Sequence, residues 1–143
     1  MSLPSNSVRV LLAEENLAFR RVMREALVAF RSCEVDEAAS GEHAFELAMQ
    51  RPYGLFIFSQ TLPDMQGELL DRLIGKAYGR VHAHIHSAPP LIYLLRQAEL
   101  PLWLELSRHA RVRAHVLMPP RLDMLMRSVE GIVAAREGGP PTL

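Results

Sequence analysis

The chain has 143 residues, 49% of them hydrophobic and 22% charged, which suits one compact domain with a true core and argues against intrinsic disorder. Sixteen basic against sixteen acidic residues give a formal charge of zero, so the long-range field that draws proteins to nucleic acid or to anionic membrane is missing. No apolar run approaches the ~20 residues of a membrane span, no basic-then-apolar leader stands at the start, and the single cysteine, Cys33, excludes an intramolecular disulfide and a multi-cysteine metal site. A soluble, cytoplasmic setting is expected. Fifteen of the basic residues are arginine, leaving Lys76 as the one lysine, and four acidic residues are aspartate: Asp36, Asp64, Asp71 and Asp123.

Residues 1–7 are small and polar and residues 137–143 are rich in Gly and Pro, so both read as flexible ends, the second as a tail or the start of a linker, around a domain at 8–136. Val8 to Ala13 is a strand candidate. With Asn16 as N-cap, Leu17 to Phe30 places Phe19, Val22, Met23, Ala26, Leu27 and Phe30 at helical spacing on one face. A weak strand follows at Glu34 to Ala38. Ser40-Gly41 then opens a helix with Ala44, Phe45 and Ala48 inward, and Leu55 to Phe58 is apolar without alternation, as in a strand covered on both faces. Leu69, Leu70, Leu73, Ile74 and Ala77 form the next helical stripe, and Leu91 to Leu95 is a second covered strand. Pro101 to His109 reads as a short helix, Ala114 to Met118 as the fifth strand, and Leu122, Leu125, Met126, Val129, Ile132 and Val133 as the closing helix. Alternating strands and crossover helices predict an α/β fold with a parallel sheet covered on both faces. Ligands of such sheets bind beyond the carboxyl ends of the strands, which directs attention to Glu14, Glu15, Ser59, Leu95 and Met118.

The stretches VRVLLAEEN, EVDEAASGEHAFELA, LFIFSQTLPDMQGELL, PPLIYLL and AHVLMPP, in that order, resemble a bacterial response-regulator receiver domain of the chemotaxis-regulator type. Leu62-Pro63-Asp64-Met65-Gln66-Gly67 is the most specific of these motifs. The resemblance implies a flavodoxin-like (βα)5 doubly wound sandwich with a five-stranded parallel sheet and a place in two-component signal transduction or a phosphorelay. Receivers accept a phosphoryl group on an aspartate ending the third strand, hold Mg²⁺ with that aspartate and an acidic pair after the first, and carry a Ser or Thr ending the fourth strand and a Lys ending the fifth. Carried onto this chain, those positions are Ser59, Glu14 and Glu15, Leu95 and Met118, and the family's switch aromatic becomes His115. Serine cannot form an acyl phosphate, no base is legible beside it, and Met118 carries no charge to meet a phosphoryl oxygen. The resemblance therefore implies a degenerate receiver, or pseudo-receiver: not an enzyme, without a cofactor, with Glu14 and Glu15 as two exposed carboxylates that bind Mg²⁺ weakly or not at all, and with Leu95 and Met118 packed over Ser59. It also implies a cis Met118–Pro119 peptide. An atypical but phosphotransfer-competent receiver using Asp64 is the alternative.

Other signals compete. His82, His84 and His86 fall on one side of an extended VHAHIH segment, the spacing of a transition-metal site, which makes a metal-binding domain a further alternative. Arg108, His109, Arg111 and Arg113 make a short basic cluster that reads as a solvated rim, and nucleic-acid binding is not expected. Leu102, Trp103, Leu104 and Leu106 cover too much of a short helix for one buried stripe. They are the expected interface for a protein partner or a second copy, on the face that receivers build from the fourth helix, fifth strand and fifth helix. An output domain beyond the C-terminal tail fits the same resemblance.

Overall fold

A computed structural model of the protein describes residues 7–138. Five strands, β1 (Arg9–Ala13), β2 (Glu34–Ala38), β3 (Leu55–Ser59), β4 (Leu91–Leu95) and β5 (Val112–Leu117), alternate with helices α1 (Leu17–Arg31), α2 (Gly41–Gln50), α3 (Gly67–Val81), α4 (Trp103–Leu106) and α5 (Leu122–Gly138). All strand pairs are parallel, in the order β2-β1-β3-β4-β5. Every residue of β3 and β4 is buried, which explains why LFIFS and LIYLL lack polar alternation. Side chains of successive residues go to opposite faces. Leu11, Phe56, Phe58, Leu91 and Tyr93 therefore meet α2 and α3, whereas Val10, Leu12, Leu55, Ile57 and Ile92 meet α1 and α5.

The helix starts follow local chemistry. Asn16 accepts the Phe19 amide at 2.9 Å to cap α1, and Ser40 accepts the His43 amide at 3.1 Å to cap α2. Helix α1 ends at Ser32, whose φ of 52° is left-handed and whose amide reaches back to the Leu27 carbonyl. Helix α5 continues through Glu137 and Gly138, two residues into the segment expected as a tail. Residues 1–6 and 139–143, which carry most of the expected flexible ends, lie outside the described residues.

Three expectations about helices need correction. Val22 and Phe30 do not join the buried stripe of α1, which is Met23, Ala26 and Leu27. Leu69 and Leu73 stay exposed while Leu70, Ile74 and Tyr78 turn inward. The expected helix at Pro101 to His109 is instead a 3-10 stretch, Gln97–Leu102, followed by the single turn of α4. Leu106 is core, not interface: it is buried with Leu95 and Val112. Trp103 is half-buried against the same core, its ring 4.4 Å from that of His115 on β5. Only Leu102 and Leu104 of the expected four remain exposed.

Arg111 is also not a rim residue. Its Nε donates to the carbonyls of Ala88 and Pro89 at 3.0 and 2.9 Å, and its two terminal nitrogens grip Asp71 of α3 at 3.1 and 2.8 Å. One guanidinium thus ties the start of β5 to α3 and to the connection before β4.

Candidate functional site

Strand β1 has β2 on one side and β3 on the other, so the chain reverses its direction of progress across the sheet between β1 and β3. The carboxyl edge at such a switch point is where a doubly wound sheet opens a crevice. The register pairs Ala13 with Phe58, so the next residues, Glu14 and Ser59, emerge side by side. Ser59 donates its hydroxyl hydrogen to Glu14 Oε1 at 2.5 Å, within the range of a charge-assisted hydrogen bond. Ser59 and Glu14 are 5% and 7% exposed. The second oxygen of Glu14 accepts the Asn16 amide at 2.7 Å, and Arg20 Nη1 donates to the Glu14 carbonyl at 2.8 Å. Arg20 Nε reaches Glu37 on β2 at 2.8 Å, fastening this turn to the sheet edge.

Above these residues lies a cavity of about 390 Å³, which Glu15, Phe19, Thr61, Arg96, Glu99 and Met118 complete. Glu99 bridges its far side. Its Oε1 accepts the Arg96 amide at 2.8 Å, and its Oε2 accepts the Thr61 hydroxyl. A single carboxylate thereby links the loop after β3 to the turn after β4. Gly67 holds the β3 loop close from below: its amide donates to the Gln60 carbonyl at 2.9 Å, and a Cβ there would stand 2.3 Å from the Ser59 carbonyl oxygen. That close approach is what the glycine of the LPDMQG motif permits.

The structure thus brings together Glu14, Glu15, Ser59 and Met118. It does not bring Leu95 to them. Alternation along β4 sends Leu95 with Leu91 and Tyr93 into the α2–α3 core, so it cannot cover Ser59, while half-buried Met118 lines the cavity. Glu14 is not an exposed carboxylate, and Ser59 does have an acceptor beside it; both expectations failed because strand register, invisible in sequence, sets the pairing. Sequence patterns do not mark Asn16, Thr61, Arg96 and Glu99 as site residues, yet all four line the cavity. The spacing of Arg96 and Glu99, with an acid three residues into a helical turn, was the available signal for the second pair. The Met118–Pro119 peptide is cis.

The remaining candidates lie elsewhere. Asp64 caps α2, its two oxygens accepting the Gly41 and Glu42 amides at 2.8 Å each. Desolvation acts upward on its carboxyl, but these amide hydrogen bonds outweigh it and hold the pKa below the ordinary value. His82 caps α3, lies against the Tyr78 ring and hydrogen-bonds the Ala48 carbonyl through Nε2 at 2.7 Å, whereas His84 and His86 are exposed. Among the described residues no three His, Cys, Asp or Glu side chains form a group that could hold a metal ion, so the three histidines do not make the metal site considered for them. The donor set falls short of the one that the family uses for Mg²⁺: Ser59 brings no charge and each Glu14 oxygen accepts a protein hydrogen bond, while exposed Glu15 lines the same cavity. His115, half-buried against Trp103, has its pKa lowered by desolvation. No helix among the described residues is long and apolar enough to cross a membrane.

No family model and no curated protein matches the chain. Solved structures do. The REC domain of AraT, a response regulator from Geobacillus stearothermophilus, is 22% identical with a TM-score of 0.76, covering 92% of this chain and 96% of its own. A CheY-like response regulator receiver domain protein from Methanospirillum hungatei JF-1 is 20% identical with a TM-score of 0.75, over 94% and 99%. Chemotaxis response regulator CheY4 of Vibrio cholerae is 16% identical with a TM-score of 0.71, over 88% and 98%. At these identities the likeness shows the fold, which is the receiver-domain fold of two-component response regulators.

Proposed function

We propose that this receiver-fold domain signals by protein association and carries out no aspartyl phosphoryl transfer. The observation that carries the reading is the Ser59 to Glu14 hydrogen bond. Where the resemblance calls for a nucleophilic carboxylate ending β3, the chain has a hydroxyl directed into the carboxylate of the neighbouring strand. An acyl phosphate needs a carboxylate nucleophile, and stabilising its formation needs cationic groups on the phosphoryl oxygens. Of the residues lining the cavity, Arg96 alone is cationic, against Glu14, Glu15 and Glu99. Asp64 is a poor substitute acceptor because both its oxygens are occupied at the α2 N-terminus and it borders a different cavity, between α2 and α3. The domain accordingly acts without Mg²⁺, without a catalytic step of its own, and in the cytoplasm of a bacterial cell. Its output surface includes the exposed Leu102 and Leu104 beside β5.

Incubation with acetyl phosphate and Mg²⁺, followed by intact-mass measurement, tests this. The expected result is unmodified protein. A phosphoryl adduct that is lost in Asp64→Ala, or one mapped to any other aspartate, overturns the reading.

A further inference from the structure

Trp103 and His115 meet where the shortest helix lies on the edge of the sheet. Strand β5 has a neighbour on one side only, and α4 is a single turn whose start has no side-chain cap. Two of its residues reach the core: Leu106, which is 2% exposed, and half-buried Trp103, whose ring centroid stands 4.4 Å from that of His115 at a tilt of 52°. The 3-10 stretch before the turn is fastened separately, through Glu99 to Thr61. His115 thus supports one of the two anchors of α4, and at a sheet edge its ring can turn to solvent while the backbone pairing with β4 stays intact.

The surroundings of His115 offer a positive charge no counterion. Tyr93, its register partner on β4, is a neutral phenol, and the Glu68 and Asp71 carboxylates of α3 that act on Tyr93 are met by Arg72 and Arg111. Glu105 of α4 pairs with Arg108 in solvent, Arg113 on β5 itself is exposed, and α5 packs on the other face of the strand with Ala114 and Val116. Burial is the one influence that moves the His115 pKa, and it acts downward. The charged ring therefore prefers water to its place beside the indole.

We propose that His115 is a proton-sensitive latch on α4: the neutral ring holds Trp103 against β5, and proton uptake from solvent turns the imidazolium outward and releases Trp103 with the first residues of the turn. The sign follows from linkage. A hydrated ring binds the proton more tightly than the stacked one, so as pH falls below the ordinary 6.5 the released population rises by up to about tenfold per pH unit, until the stacked ring protonates as well. Leu102 and Leu104, the exposed neighbours of Trp103 in the chain, move with it. That their movement alters an output rests on the function proposed above; the latch itself does not.

Trp103 is the one tryptophan of the chain, so intrinsic fluorescence reads the latch directly. Emission spectra and amide exchange of the full chain from about pH 7.5 to about 5, with His115→Phe and His115→Gln alongside and circular dichroism to check folding, test it. The wild-type emission maximum should shift to the red with a midpoint below 6.5. Protection of the Trp103 to Ser107 amides should fall by up to about tenfold per pH unit, while β1 and β3 keep theirs. Neither variant should show the transition. A wild-type spectrum that does not move, the same transition in both variants, or a transition that coincides with loss of protection in β1 and β3 each overturn the proposal. So does quenching without a red shift and with unchanged protection, which would mean that the imidazolium stays stacked on the indole. None of these outcomes depends on whether acetyl phosphate labels the protein, so the latch and the proposed function fail separately.

Discussion

Ser59 and Glu14, 45 residues apart in sequence, share a 2.5 Å hydrogen bond at the carboxyl edge of adjacent strands. Both are buried, so the bond matters more in loss than in gain. Ser59→Ala leaves Glu14 short of a donor in a desolvated position and should cost about 1–3 kcal/mol. Ser59→Asp should cost as much or more, because it sets two carboxylates face to face. Urea titrations of both variants check the order, and Mg²⁺ should restore stability to Ser59→Asp alone, since only that variant sets a third carboxylate beside Glu14 and Glu15 for the ion. A Ser59→Asp protein as stable as the wild type without Mg²⁺ would show that the pair is not the close contact described.

Glu99 is the strap across the cavity, bound to Thr61 on one side and to the Arg96 amide on the other. Glu99→Ala should lower stability by about 1–2 kcal/mol. It should also speed hydrogen exchange at the Arg96 amide and through Gln97–Leu102, leaving β1 and β3 protected. Unchanged exchange in that stretch would mean that the turn is held by other contacts.

Arg111 satisfies two backbone carbonyls and the Asp71 carboxylate at once. Arg111→Ala should destabilise by about 2–4 kcal/mol, since it strands acceptors that are partly buried. Arg111→Lys should recover little, because an ammonium cannot form the planar fork that serves Asp71 and the carbonyls together. Equal melting temperatures for the lysine variant and the wild type would contradict this.

Glycines on the same helix should behave oppositely. Gly67→Ala drives a Cβ to 2.3 Å from the Ser59 carbonyl, whereas a Cβ at Gly75 meets nothing within 4 Å. Gly67→Ala should cost more than about 2 kcal/mol, and Gly75→Ala should add roughly 0.5–1 kcal/mol through helix propensity. Thermal melts of the two variants read both signs.

His115 is half-buried against Trp103, and desolvation lowers its pKa below the ordinary 6.5. The unfolded chain then takes up the proton first as pH falls. Stability is unaffected well above 6.5 and declines from there downward until the folded histidine also protonates. His115→Phe should flatten that part of the pH–stability curve while keeping the Trp103 contact. An equally steep decline in the variant would assign the pH dependence to other groups.

The sequence by itself determined the elements and their order. Covered strands such as LIYLL and capped helices after Asn16 and Ser40 are local patterns, set by the two periodicities of backbone structure and by side-chain capping. It also displayed the replacements at Ser59 and Met118, because they fall at strand ends that an apolar run marks on its own. Tertiary structure alone decided which residues meet. The pairing of Ala13 with Phe58 delivers Ser59 to Glu14, alternation along β4 carries Leu95 away from the cavity it was expected to close, and Glu99 acquires its role only when the β3 and β4 loops are adjacent. The same holds on the surface. Val22 and Phe30 share a periodic stripe with Met23 and Leu27, yet the sheet accepts only part of that arc, because a helix lying on a flat layer buries one side of its cylinder and periodicity does not say how wide that side will be.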